Sequence, residues 1–128
     1  MSDNDVQDLL KLSKQLLDSI DHKDWNTYTS LCDEELTCFE PEARGHLVTG
    51  MDFHRFYFDM NPTGRTRQST ISSPMVSIMG EVALVTYIRV VQFIDEHGHD
   101  HSAACEESRI WQKQDGEWQH VHFHRSTI

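Results

Sequence analysis

The chain has 128 residues, which suits one domain and is too short for two. Twenty-one acidic residues against eleven basic ones leave a net charge of −10 with histidines neutral, which argues against DNA, RNA or an anionic membrane as a general partner. No apolar stretch approaches the roughly 20 residues that span a bilayer, and the opening MSDNDVQDLL lacks the basic-then-apolar order of a signal peptide. Cys32, Cys38 and Cys105 are an odd number without metal spacing, as in a reducing compartment. The expectation is a single domain over residues 1–128, located in the cytoplasm.

In chain order, the first twenty residues predict an amphipathic helix. Val6, Leu9, Leu10, Leu16, Leu17 and Ile20 fall on one stripe, and Asp8, Lys11, Lys14 and Asp18 fall off it. A second, short helix is expected from Asp24 to Leu31, with Trp25, Tyr28 and Leu31 on one side. Leu36–Glu40 reads as a strand, and Pro41 and Gly45 punctuate a turn before a short returning strand at His46–Thr49. An aromatic helix, MDFHRFYFDM, follows Gly50, with Phe53, Phe56, Tyr57 and Met60 as its stripe. Met51 and Phe58 fall off that stripe, so apolar surface is left for contacts between subunits.

The stretch NPTGRTRQ is loop-like. After it the pattern turns to period two over about Thr66–Met79, Val82–Ile94, His101–Gln114 and Trp118–Ser126. The breaks Gly80-Glu81, DEHGHD and Asp115-Gly116 are hairpin turns, which make these strands antiparallel neighbours. Helices first and a meander afterwards predict an α+β fold with helices covering one face of a curved sheet.

The alternation singles out three arginines. Ala83, Val85, Tyr87, Arg89, Val91 and Phe93 share one face. Ala103, Cys105, Glu107, Arg109 and Trp111 share the next, and Gln119, Val121, Phe123 and Arg125 the last. Each arginine thus sits in the register expected to face the core. A lone arginine of this kind is usually an edge residue with a packed stem and a hydrated head. Three in one concavity repel unless an anion or buried carboxylates lie among them. Glu107 and Glu40 are the candidate internal carboxylates. The other reading is a pocket that holds a small carboxylate or phosphate through bidentate contacts. Register alone does not separate the two.

Three runs carry a resemblance that covers nearly the whole chain. FEPEARGHLVTGMDFHRFYFD (39–59), ALVTYIRVVQF (83–93) and EESRIWQKQDGEWQHVHFHRS (106–126) together resemble the association (hub) domain of calcium/calmodulin-dependent protein kinase II. The resemblance implies a cone-shaped fold of the nuclear transport factor 2-like type, with a long N-terminal helix across a strongly curved antiparallel sheet. It implies a non-catalytic domain that assembles a homo-oligomer of two stacked rings, commonly dodecamers or tetradecamers. Its partners would be the kinase and regulatory segments of the same protein. It also implies a pocket for a small carboxylate or a peptide segment, lined by Arg89, Arg109 and Arg125, with His54 and Tyr57 near its mouth. No cofactor and no metal are implied.

Two rival readings use the same residues. The cone fold also hosts isomerases and dehydratases, for which His54 or Glu107 would be the acid or base and Arg109 an electrostatic partner; a stand-alone enzyme or small-molecule-binding protein is therefore the alternative. A carboxylate among three cations is a poor base at neutral pH. His120, His122 and His124 lie two apart on one strand, and His97, His99 and His101 crowd the turn before it, which suggests metal ligands. The resemblance covers VHFHR without a metal, and a polar outer face is the reading preferred for those histidines.

Overall fold

The computed structural model describes residues 3–60 and 66–128. Helix α1 (Asp3–Asp21) buries Leu9, Leu16 and Leu17 completely and lies along the sheet, where Lys14 Nζ donates to the Ser69 carbonyl at 3.1 Å. Helix α2 (Trp25–Leu31) starts where Asp24 caps the Thr27 amide at 3.2 Å and buries Tyr28 and Leu31. The chain passes directly into β1 (Cys32–Phe39), then through a 3-10 turn at Pro41–Ala43 to β2 (Val48–Thr49) and helix α3 (Asp52–Phe58). Strands β3 (Arg67–Met79), β4 (Val82–Ile94), β5 (Asp100–Gln114) and β6 (Glu117–Thr127) follow. Part of the loop expected at 61–68 lies outside the described residues, and Arg67 and Gln68 already belong to β3.

The strand order is β2-β1-β6-β5-β4-β3. Hairpins build the antiparallel run β3 to β6 as the turns predicted. At the β5–β6 turn, Asp115 and Gly116 both take positive φ (52° and 82°), the conformation that a tight two-residue hairpin needs. The pairing of β1 with β6 is parallel, so the sheet is mixed rather than wholly antiparallel. Short connections predict neighbours, but this pair joins segments about 85 residues apart. It sets Cys38 opposite Phe123 and Phe39 opposite His124.

Two corrections concern which face a residue takes. A bulge shifts the β5–β6 register between Ile110 and Trp111: Ile110 pairs with His122, but Trp111 pairs with His120. Val121 is the extra residue, so Trp118 and His120 turn inward alongside Phe123, while Gln119 and Val121 are only half-buried. The three histidines of β6 therefore do not share one outer face. On α3 the packed residues are His54, Met51, Phe53 and Phe58, and Phe56 and Met60 are exposed. Seven residues are too few for periodicity to decide a face. Edge-on packing of Phe58 against Trp25 (5.0 Å) and tilted packing against Tyr28 (4.8 Å) decide it instead.

Candidate functional site

The inward positions of β4, β5 and β6 are aligned across the sheet: Tyr87 opposite Glu107, Val85 opposite Arg109, Glu107 opposite Arg125, and Arg109 opposite Phe123. Above them, α1, α2, the 3-10 turn and α3 close a cavity of about 240 Å³. Arg89, Arg109, Arg125, His54 and Tyr57 all line it, together with Glu40, Glu42 and Arg67. Glu107 lies beneath the lining, fully buried among the guanidinium groups.

The floor is a buried ion network. Glu107 accepts from Tyr87 Oη at 2.6 Å and from Arg109 Nη2 at 3.1 Å, and pairs with Arg89 Nη1 at 3.4 Å. Arg89 also donates to Ser69 Oγ (2.9 Å) and to Asp21 Oδ1 (2.8 Å), at the end of α1. Burial alone would raise the Glu107 carboxyl, but Arg109, Arg89 and the Tyr87 hydroxyl outweigh it and hold it at about 2. Burial disfavours the Arg109 cation too, yet Glu107 keeps it firmly charged, and its guanidinium lies 4.4 Å over the Phe123 ring.

His120 orients Arg109 from behind. Its Nε2 is 3.3 Å from Arg109 Nη1, its Nδ1 is 3.4 Å from Cys32 Sγ, and its ring stacks on Phe123. A guanidinium only donates, so Nε2 is the acceptor and the ring proton sits on Nδ1. Burial, then the Arg109 charge, holds this imidazole neutral, with its pKa well below 6.5.

The rim is looser. Arg125 pairs with Glu42 by a hydrogen bond and with Glu40 Oε2 at 3.6 Å, and its side chain is one-fifth exposed. Burial would raise the Glu40 carboxyl, but a hydrogen bond from His54 Nε2 (3.0 Å) and the nearby cations lower it. Arg67, also at the rim, reaches Asp21 Oδ1 at 3.1 Å. Tyr57 is exposed beside it. Four cations (Arg67, Arg89, Arg109, Arg125) thus face four carboxylates (Asp21, Glu40, Glu42, Glu107), so the cavity is nearly neutral.

The sequence named Glu107 and Glu40 but not Asp21, Glu42, Arg67 or Cys38, and His120, expected on an outer face, is fully buried. One signal was available: an aspartate closing a helix opposes the macrodipole and asks for a compensating cation. Arg67 and Cys38 depend on how α1 and α3 pack over the sheet, Glu42 on the parallel β1–β6 pair and His120 on the β6 bulge, none of which leaves a mark in local pattern.

The model of the calcium/calmodulin-dependent protein kinase II association domain matches residues 5–128. The chain belongs to that family. It is 48% identical over 122 residues to calcium/calmodulin-dependent protein kinase type II of Caenorhabditis briggsae, covering 94% of this chain and 23% of that protein. Its identity to the Drosophila melanogaster alpha chain is 46% over 124 residues, again 94% and 23%. The chain therefore spans about a quarter of the length of these relatives. The association domain of the C. elegans kinase superposes with a TM-score of 0.89 at 46% identity, over 97% of this chain and 96% of that one. The S. rosetta hub gives 0.83 at 40%, over 94% of each. A nuclear transport factor 2-like protein from Streptomyces avermitilis, 17% identical with a TM-score of 0.82, shares the fold. The fold is thus the α+β cone of that superfamily, with a long helix across the sheet. Among the described residues, no helix is long and apolar enough to cross a membrane.

Proposed function

We propose that this association domain joins copies of itself into a closed homo-oligomer of two stacked rings and so organises a calcium/calmodulin-dependent kinase holoenzyme whose catalytic and regulatory segments are its partners. The family match from residue 5 to residue 128 carries this reading. Exposed apolar side chains supply a physical motive: Phe56 and Met60 on and after α3, Met75 and Met79 on β3, and Leu47 are each half exposed or more. Subunits that each carry −10 must overcome mutual repulsion, so such apolar contacts are the natural joints. Native mass spectrometry tests assembly. A series of high multiples of 14.9 kDa is expected, and a dominant monomer or dimer overturns the reading.

The cavity is proposed as a binding site for a small carboxylate, held by Arg125 at the rim and steered by Arg89 and Arg109 below. Its volume falls under the roughly 300–1,000 Å³ of drug-sized sites, which suits a small acid or the end of a peptide segment. Calorimetry with a panel of small carboxylic acids tests it: Arg125→Ala removes the binding and leaves the ring mass unchanged. A wild type that binds none of them refutes the pocket without touching the assembly reading. A catalytic role is not proposed, because Glu107 at about 2 and a lowered Glu40 make weak general bases at neutral pH.

A further inference from the structure

Beside Arg125, the cavity wall carries a donor set of mixed chemistry that assembly does not use. Cys38 Sγ, a Glu40 carboxylate oxygen and a His54 ring nitrogen all lie within 4.8 Å of one another. Cys38 Sγ is 3.6 Å from His54 Nε2, and His54 Nε2 is 3.0 Å from Glu40 Oε1. The fold builds this triangle from separate pieces. Cys38 and Glu40 are two apart on the extended chain and so share a side. The Gly50 amide, bonded to the Leu36 carbonyl at 2.7 Å, folds the chain back so that α3 lays His54 over them.

The geometry and the chemistry agree on one class of ligand. Bonds of about 2.0–2.3 Å in a tetrahedral zinc site put neighbouring donors roughly 3.3–3.7 Å apart; the Cys38–His54 separation of 3.6 Å falls in that range, the His54–Glu40 separation of 3.0 Å lies a little short of it, and the third pair is within 4.8 Å. Thiolate, imidazole and carboxylate together suit zinc or cobalt, whereas magnesium and calcium prefer oxygen alone. The thiolate and the carboxylate each offset part of a divalent charge, Glu40 sharing its own with Arg125. Glu40 faces Arg125 through its other oxygen, Oε2, so a metal on Oε1 leaves that ion pair in place. Cys38 is wholly buried, and the His54 and Glu40 side chains are 9% and 7% exposed, so water competes little.

We propose that Cys38, Glu40 and His54 hold a zinc-type divalent ion, with its fourth position facing the arginine-lined cavity. On binding, the Cys38 S–H bond breaks, its proton leaves to solvent, and a sulfur–metal bond forms; the His54 proton moves from Nε2, where it bonds Glu40, to Nδ1, and the freed Nε2 lone pair binds the metal. No electron is transferred. Glu40 and His54 also line the cavity, so a water or a bound carboxylate completes the coordination. Among the described residues His54 Nδ1 is buried without a partner, whereas a structural metal site usually anchors that second nitrogen. The bound ion is accordingly exchangeable and not a condition of folding. This site is independent of assembly, and it shares Glu40 and His54 with the cavity proposed for the acid.

The test is titration of the metal-free full chain with Co²⁺, followed by displacement with Zn²⁺. The wild type should develop a thiolate-to-cobalt charge-transfer band that one equivalent of Zn²⁺ per chain removes. Cys38→Ser should lose the band and bind cobalt about tenfold or more weakly. His54→Gln should do the same, and it decides the matter if Cys38→Ser does not fold by circular dichroism. A chain with His97→Gln, His99→Gln and His101→Gln should keep the band, which separates the site from the exposed histidine turn. Absence of the band in the wild type, its survival in both ligand variants, or its loss only in the turn variant overturns the proposal.

Discussion

The floor and the rim of the cavity use the same residue types to opposite ends. On the floor, Arg89, Arg109 and Glu107 are sealed from water and over-determined: Glu107 meets two guanidinium groups and a phenol, and His120 fixes Arg109 from the far side. At the rim, Arg125 holds Glu42, whose side chain is 38% exposed and has bulk water as an alternative. An ion pair that neither partner can hydrate is part of the fold. One that either partner can leave is a place for a ligand. The comparison predicts that floor substitutions act on stability and rim substitutions on binding.

The largest expected effect is Glu107→Gln. It leaves two buried guanidinium groups short of a counter-charge, which typically costs about 3–5 kcal/mol. Urea unfolding at pH 7 should show that loss in full. A loss comparable to a surface change would mean that water reaches the floor and that the division from the rim is false.

Acid sharpens the same point. Glu107 titrates near 2 in the folded chain and has an ordinary value of 4.5. A depressed carboxylate gives stability that is fully present above its unfolded pKa and is lost as pH falls towards its folded one. The gap between wild type and Glu107→Gln should therefore hold above about pH 5 and narrow steadily from 4.5 downward. A gap independent of pH would assign the effect to packing rather than charge.

How much of this was legible in the sequence follows the same line. On β4, strict alternation placed Ala83, Val85, Tyr87, Arg89 and Val91 inward, and all five are buried. A central strand paired on both sides has no room to slip, so pattern and face coincide. β6 carries a bulge at its middle, where period two loses count, and His120 was assigned outward although it is fully buried. The rim was hardest to read. Glu42 reaches Arg125 only because β1 returns to lie parallel beside β6, and Cys38 meets His54 because the Gly50 amide folds α3 back over β1. Asp21 was passed over because it follows a clear helical stripe, and the stripe says nothing of what its last residue faces.

A middle-sized effect is expected at His120. His120→Phe removes the acceptor behind Arg109 Nη1 and strands a buried donor, at about 1–3 kcal/mol. Because burial and Arg109 keep the folded imidazole pKa well below 6.5, the unfolded chain takes up a proton first as pH falls. The wild type should thus lose stability below about pH 6.5, and His120→Phe should lack that part of the slope. Equal slopes between pH 7 and pH 5.5 would show that His120 is not held neutral on the floor.

The smallest effect, and the one most specific to the rim, is Glu42→Gln. Glu42 now occupies the Arg125 guanidinium that an incoming carboxylate needs, so binding is an exchange of one carboxylate for another. Removing the resident charge leaves Arg125 paired with Glu40 alone, at 3.6 Å. Since Glu42 sits partly in solvent, its ion pair contributes only about 0–1 kcal/mol to stability. Glu42→Gln should therefore unfold at nearly the wild-type urea concentration and yet bind small acids more tightly, by up to roughly fivefold, the same energy expressed as affinity. Calorimetry on the two proteins measures both quantities on one sample. Weaker binding in the variant would make Glu42 a part of the acid's own site, and the rim would then be as fixed as the floor.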